Sequence, residues 1–486
     1  MLFNSFTFFV FLIIFISGYW FLNRKIRLYL IFSSSLVFYG FWRVEFLSLI
    51  LLSVLINYFS SLFFEKTQSK PKRKIILLFS LLSNFGLLAF FKYYYFISEN
   101  INFIFNIIGS EINIPYYNIV LPLGISFYTF QSVSYTIDVF NKNIKAEREF
   151  ILFSNYVIFF PQLIAGPILR AKEIIWQLSE RPKFKIEKMY AGIKRIIFGL
   201  FLKVVIADHL APIVEQCFLV DSKYLSAIDI FTMSYLFGFQ IYFDFSAYSH
   251  IAIGLAMLMG IHFPENFNFP YHSKSPKEFW TRWHITLSSW VRDYVYLPMM
   301  NYKNLNNSEG GIGLSIYKNS ISFNSIIILL ITWMLMGIWH GAHWKFVAWG
   351  VSHALIITFY RLFDGMINLS RNRLIAFASW FFTLQLVMLS WIPFRAESSL
   401  HAFRLWGRLF NNDNWFGFGF KENTYLIAFF ITLIYLIYPY VIITWNSYMK
   451  KNVLIKGFIE FVCLFFIVTM VLIFFKVINQ FIYFQF

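Results

Sequence analysis

Of 486 residues, 59% are hydrophobic, 22% aromatic and only 13% charged, against about 25% charged in an average soluble protein. With a mean hydropathy of +0.62, such a chain cannot bury its apolar side chains in one water-facing fold, so the bilayer must be its main solvent. The net charge of +17 then reads as Lys and Arg gathered in cytoplasmic loops, not as a nucleic-acid surface.

Apolar runs follow one another along the whole chain. They fall near 2–22, 28–42, 44–64, 75–97, 117–140, 150–168, 190–218, 226–261, 322–340, 343–363, 373–394, 424–446 and 455–482. A span needs about 20 residues. The 28–42 run is short and the 226–261 run is long enough to be broken or tilted. The expectation is an all-α polytopic bundle of 10–13 spans, forming a single domain over 1–486.

The first run lacks a basic leader and carries Arg24, Lys25 and Arg27 behind it. It reads as a retained helix with its basic end inside. The loops at 65–74 and 170–195, and the one holding Lys450, Lys451 and Lys456, are rich in Lys and Arg and are expected on the cytoplasmic side. Segment 301–320, rich in Asn, Ser and Gly, reads as a flexible connection. Cys217 and Cys463 have no CxxC or metal spacing and read as packing residues.

The stretch from Phe263 to Pro298 differs from a simple span. Between Pro276 and Pro298, Phe279, Trp280, Trp283, Leu287, Trp290, Val291 and Tyr294 recur at helical spacing, with Lys277, Arg282 and Arg292 nearby. This pattern predicts an amphipathic helix that lies along the interface or re-enters the membrane.

Ionisable groups inside a membrane are costly and mark functional candidates. His340, in the segment MGIWHGAHW at 336–344, ends a long apolar run. Gly337 and Gly341 leave room for a ligand or backbone to approach, and Trp339 and Trp344 can wall off water. A neutral imidazole there is a competent general base, or else a core histidine bonded to a neighbouring helix. Zinc held by His340 and His343 lacks an evident third ligand. His284 sits among aromatics and reads as a functional or an interfacial histidine. Asp244, beside Tyr242 in an apolar run, must pair: it orients a histidine or ties helices together. Pro161, Gly166 and Pro167 interrupt a helix, freeing backbone groups that usually line a cavity, and Arg170 follows them, suited to a phosphate or to headgroups. His209, His262, His272, His353 and His401 show no constellation in the sequence.

Several of these segments occur together and in order. They are PLGISFYTFQSVSYTIDVF at 122–140, FFPQLIAGPILR at 159–170, FQIYFDFSAYSHIAIGLAMLMGI at 239–261, NFPYHSKSPKEFWTRWHITLSSWVRDYVYLP at 268–298, MGIWHGAHW at 336–344 and FIYFQF at 481–486. Together they resemble the membrane-bound O-acyltransferase family, in its alginate O-acetyltransferase-like branch. His250 stands where that pattern usually has an acidic residue, and His343 where it has a smaller or amide one.

The resemblance implies helices around a tunnel in the bacterial inner membrane. It implies His340 and His284 as the catalytic pair, with Trp339, Trp283, Asp244, Tyr242 and Gly341 supporting them or lining the tunnel. Acetyl-CoA would serve as co-substrate on the cytoplasmic side, its phosphates on Arg282, Lys277, Arg292 and Arg170, with no metal. The acetyl group would pass to a periplasmic or membrane-anchored acceptor protein and then to a polysaccharide. D-alanyl transfer to teichoic acids, by a related branch, is the alternative. A transporter or channel without chemistry is the alternative from another class.

Overall fold

The computed structural model describes residues 1–300, 322–364, 372–410, 415–449 and 453–475. The expected flexible connection at 301–320, Lys450, Lys451 and the terminal FIYFQF segment lie outside the described residues. Among the described residues every regular element is helical. Nine helices there are long and apolar enough to cross a membrane, and Phe6–Phe21 and Phe150–Leu163 are shorter apolar stretches. Large apolar side chains such as Phe429, Phe461 and Phe465 remain exposed on the outer helices, as expected where lipid replaces water.

The chain groups into two compact units, one of residues 1–196 with 248–264 and the other of 197–247 with 265–486. In the first unit the expected run at 117–140 is helical only over Ile125–Phe140. It starts after Gly124, whose φ is +68° and whose Cβ, if present, would lie 2.4 Å from the Leu163 carbonyl oxygen. A side chain there would be strained and would collide with that backbone. The helix expected at 150–168 breaks into Phe150–Ile158 and Phe160–Leu163, because Pro161 has no N–H to continue the ladder.

The backbone freed by that break is capped by amides, which answers the expectation of a cavity. The Tyr156 carbonyl accepts from the side-chain amides of both Gln131 and Gln162, and Gln162 also donates to Gln131 at 2.9 Å. Elsewhere in this unit Asn57 anchors a knot of polar side chains. Its Oδ1 accepts from Ser80 at 3.0 Å and Thr136 at 2.6 Å, and its amide donates to Asn84 at 3.1 Å. Buried hydroxyls and amides that satisfy one another join helices in lipid, where no water competes.

In the second unit the helix Phe323–His340 starts at a reciprocal capping pair between Ser322 and Ser325. It packs against Trp344–Asp364 through glycines. A Cβ on Gly337 would meet the Phe346 carbonyl oxygen at 2.2 Å, and one on Gly350 would meet that of Trp333 at 2.1 Å. The two backbones therefore touch directly, as small residues allow in membrane helix pairs.

Ala227–Leu258 is one unbroken helix of 32 residues, about 48 Å long at 1.5 Å per residue. The run was expected to be broken or tilted; it is not broken, and its length exceeds a hydrocarbon core of about 30 Å.

The single amphipathic helix expected between Pro276 and Pro298 is not formed. The segment divides into Pro276–Arg282, Ile285–Val291, a wider turn over Arg292–Tyr296 and Leu297–Met299. His284 makes the break, with φ +41° and ψ 54°. Its aromatic face is turned into protein: Phe279, Trp280, Trp283 and Trp290 are all buried.

Candidate active site

Five segments of the second unit bring the candidate side chains together. His284 is completely buried, and its break between two short helices is fixed by Asn266. The Ile285 N–H donates to the Asn266 backbone carbonyl. The Thr286 N–H and hydroxyl donate to the Asn266 side-chain oxygen, at 3.3 and 3.0 Å. That oxygen is thereby defined as an acceptor, so His284 Nδ1, 3.1 Å away, must carry a hydrogen and donate it. The other ring nitrogen, Nε2, is left as the proton-accepting one. Burial pushes the imidazole down to about 3, so His284 is neutral at physiological pH.

Neighbours wall the ring. Phe245 meets it edge-on with ring centres 4.5 Å apart, and Trp339 lies 6.3 Å from it. Trp339 in turn lies 4.9 Å from His340, so one indole neighbours both imidazoles. His340 is 4% exposed. Trp349 at 4.9 Å and Phe394 at 5.0 Å pack on its other sides. Gly341 does not open room for a ligand: a Cβ there would fall 2.1 Å from the Phe346 ring. Its close neighbour is protein. Trp344, expected to exclude water, is instead 53% exposed, whereas Trp339 is buried.

Asp244 takes the second of its two expected roles and ties helices together. It lies 2.9 Å from the Lys203 ammonium, which also reaches Asp208 at 2.8 Å. Lys203 is 1% exposed and sits in a wider turn, Leu202–Ala207, inside a long apolar helix. Such insertions are frequent at functional positions. Tyr242, two residues before Asp244, packs on Trp283 with ring centres 6.1 Å apart.

The proposed phosphate ligands divide. Lys277 and Arg282 are half-buried on Pro276–Arg282, and Arg282 pairs with Glu278 at 2.9 Å. Arg292 is buried and bonds Asp293 at 2.6 Å. Arg170 belongs to the other unit and is only 9% exposed, which does not suit contact with headgroups. His343 accepts from the Lys345 N–H at 3.1 Å, and among the described residues no group of three or more His, Cys, Asp or Glu is placed to hold a metal.

Three residues have roles here that sequence reasoning missed. Lys203 was legible, as a charge inside an apolar run. Asn266 has no signal beyond its closeness in sequence to His284. His353, read as having no constellation, in fact has a dense one, formed by Trp280, Trp333 and Trp349 at 5.1, 5.3 and 4.8 Å.

Two buried imidazoles therefore neighbour one indole in a bundle of helices long and apolar enough to span a membrane. The profile of the membrane-bound O-acyltransferase family, MBOAT, matches residues 141–311. The chain is 37% identical to the probable alginate O-acetylase AlgI of Pseudomonas putida over 85% of its own length and 81% of the relative's. It is 32% identical to a peptidoglycan O-acetyltransferase of Helicobacter pylori, covering 76% and 71%. With a teichoic acid D-alanyltransferase of Bacillus subtilis it shares 31% identity, over 51% and 61%. The chain belongs to the membrane-bound O-acyltransferase family. It is an O-acetyltransferase and a multi-pass protein of the bacterial inner membrane.

Proposed function

We propose that this enzyme takes an acetyl group from cytoplasmic acetyl-CoA and delivers it across the inner membrane for O-acetylation of a polysaccharide, through a separate exported or membrane-anchored protein. The observation that carries the reading is the placement of His284 and His340 about Trp339, together with relatives named for O-acetylation of alginate and of peptidoglycan.

In the proposed reaction His340 removes the proton of the acceptor hydroxyl as its oxygen attacks the thioester carbonyl. A C–O bond forms, the C–S bond breaks, and the proton passes to the departing thiolate, so that no net proton is consumed. His284, donating through Nδ1 to Asn266, presents Nε2 as an acceptor that can orient the hydroxyl. In that tautomer it is not a donor for the oxyanion, and that stabilisation falls to other groups. The walls of Phe245, Trp339, Trp349 and Phe394 keep water from the thioester. Lys277 and Arg282 suit the CoA phosphates better than Arg292, which is buried against Asp293.

The test uses membrane vesicles and radiolabelled acetyl-CoA. Replacing His340 with glutamine should lower label transfer to polysaccharide by roughly 10²–10⁴-fold, the usual contribution of a general base, with the protein still inserted. Full activity would sink the assignment. The likeness to a teichoic acid D-alanyltransferase sustains one other reading, in which a carrier-protein thioester replaces CoA. Label transfer from acetyl-CoA without any carrier protein excludes it.

A further inference from the structure

His353 lies nine residues beyond the Trp344 start of its helix and is 1% exposed. It meets rings from four stretches of chain, its own helix included. Phe279 and Trp280 come from the short helix that precedes His284, at 6.5 and 5.1 Å. Trp333 comes from the helix that ends in His340, at 5.3 Å. Trp391 lies at 6.4 Å, and Trp349, one turn earlier on its own helix, at 4.8 Å.

Trp349 is also the ring that packs on His340. The segment carrying one candidate imidazole and the hairpin carrying the other therefore both rest on His353.

A hydrogen bond fixes its orientation. Ser390 Oγ donates its single hydrogen to the Val387 carbonyl at 2.6 Å. It can therefore only accept from His353 Nε2, 3.0 Å away. His353 is thus the Nε2–H tautomer, with its ring plane held by Ser390. A phenylalanine would fill the same space without that tether. A leucine would offer neither the ring nor the N–H.

We propose that His353 is a positioning residue: tethered to Ser390, it holds Trp349 and the Phe279–Trp280 pair so that His340 and His284 keep their mutual geometry. It acts through other residues and is not a partner in the chemistry. The inference rests on the reading of His340 and His284 as the catalytic pair.

Thiol release from acetyl-CoA, measured in vesicles and normalised to folded protein by fluorescence-detected size exclusion, tests it. His353→Phe should lower kcat by about 30-fold while KM for acetyl-CoA moves less than about twofold, since geometry lost only at the reacting atoms appears in kcat. His353→Gln, which keeps an N–H for Ser390, should recover to within about fivefold of the parent. Ser390→Ala should cost about tenfold alone and nothing further on top of His353→Phe, the mark of residues acting as one unit.

Histidine nitrogen NMR should show His353 protonated at Nε2. Unchanged kcat in His353→Phe, or a glutamine variant no better than phenylalanine, would overturn the proposal. So would additive losses. His340→Gln in the same assay separates the two readings. If it is inactive while His353→Phe is fully active, only the positioning role fails. If it is fully active, the catalytic pair itself fails.

Discussion

The polar knot of the first unit and the ring cluster of the second solve one problem in opposite ways. Around Asn57 the buried groups are amides and hydroxyls that consume one another's hydrogen bonds. Around His340 and His284 the buried groups are imidazoles enclosed by aromatic rings, with a directed hydrogen bond at His284 Nδ1. The first arrangement spends its polarity on joining helices. The second packs imidazoles among rings and, in the proposed function, turns them to proton transfer. Polarity inside a membrane is therefore informative by kind: satisfied amides argue for architecture, oriented imidazoles for chemistry.

The contrast can be stressed from both sides. The largest stability effect is expected at Lys203, which combines features of both regions. Lys203→Met leaves the buried Asp244 and the partly buried Asp208 without this cation and should cost about 3–5 kcal/mol, read as a lower unfolding temperature in detergent. Adding Asp244→Asn should return part of the loss.

Next, Asn57→Leu strands Ser80 and Thr136 at about 1–3 kcal/mol for each unsatisfied group. The rate per folded molecule should hold, because no titratable group is lost. A fall in kcat without a fall in stability would break the distinction between the regions.

The third is a dependence on pH that an amide knot cannot show. Burial holds His284 at about 3, well below its ordinary 6.5. Between those values the unfolded chain binds a proton that the folded one does not. Stability therefore falls as pH drops from 6.5 toward 3, by up to about 1.4 kcal/mol per unit. Thermal unfolding across that range should show the slope, and His284→Gln should make it less steep.

The smallest effect is expected at Trp344, which is mostly exposed on the same helix as the enclosed Trp349. Trp344→Leu should stay within about 0.5 kcal/mol in stability, as surface changes usually do, and leave the rate unchanged.

Much of this was legible in the residues. The apolar runs foretold the spanning helices, because hydrocarbon demands long uninterrupted segments and the sequence supplies them. The ordered motifs foretold the family. The break at His284 was not legible. Its left-handed backbone is imposed by bonds from Asn266 and the turn around it, not by glycine or proline at that position. The cage of His353 was hidden for a related reason. Its walls come from four separate stretches of chain, and no local period links Trp280, Trp333, Trp349 and Trp391. Trp344 misled because its neighbours in sequence, Gly341 and His343, sit at a reversal that turns it outward.

The glycines at 337 and 350 carry a mechanical consequence. At two places a carbonyl oxygen of one helix fills the space a side chain of the other would need, so the hairpin is seamed backbone to backbone. His340 rides on that hairpin, three residues beyond one of those glycines. A side chain at either position would have to wedge the hairpin open, and the histidine would move with it.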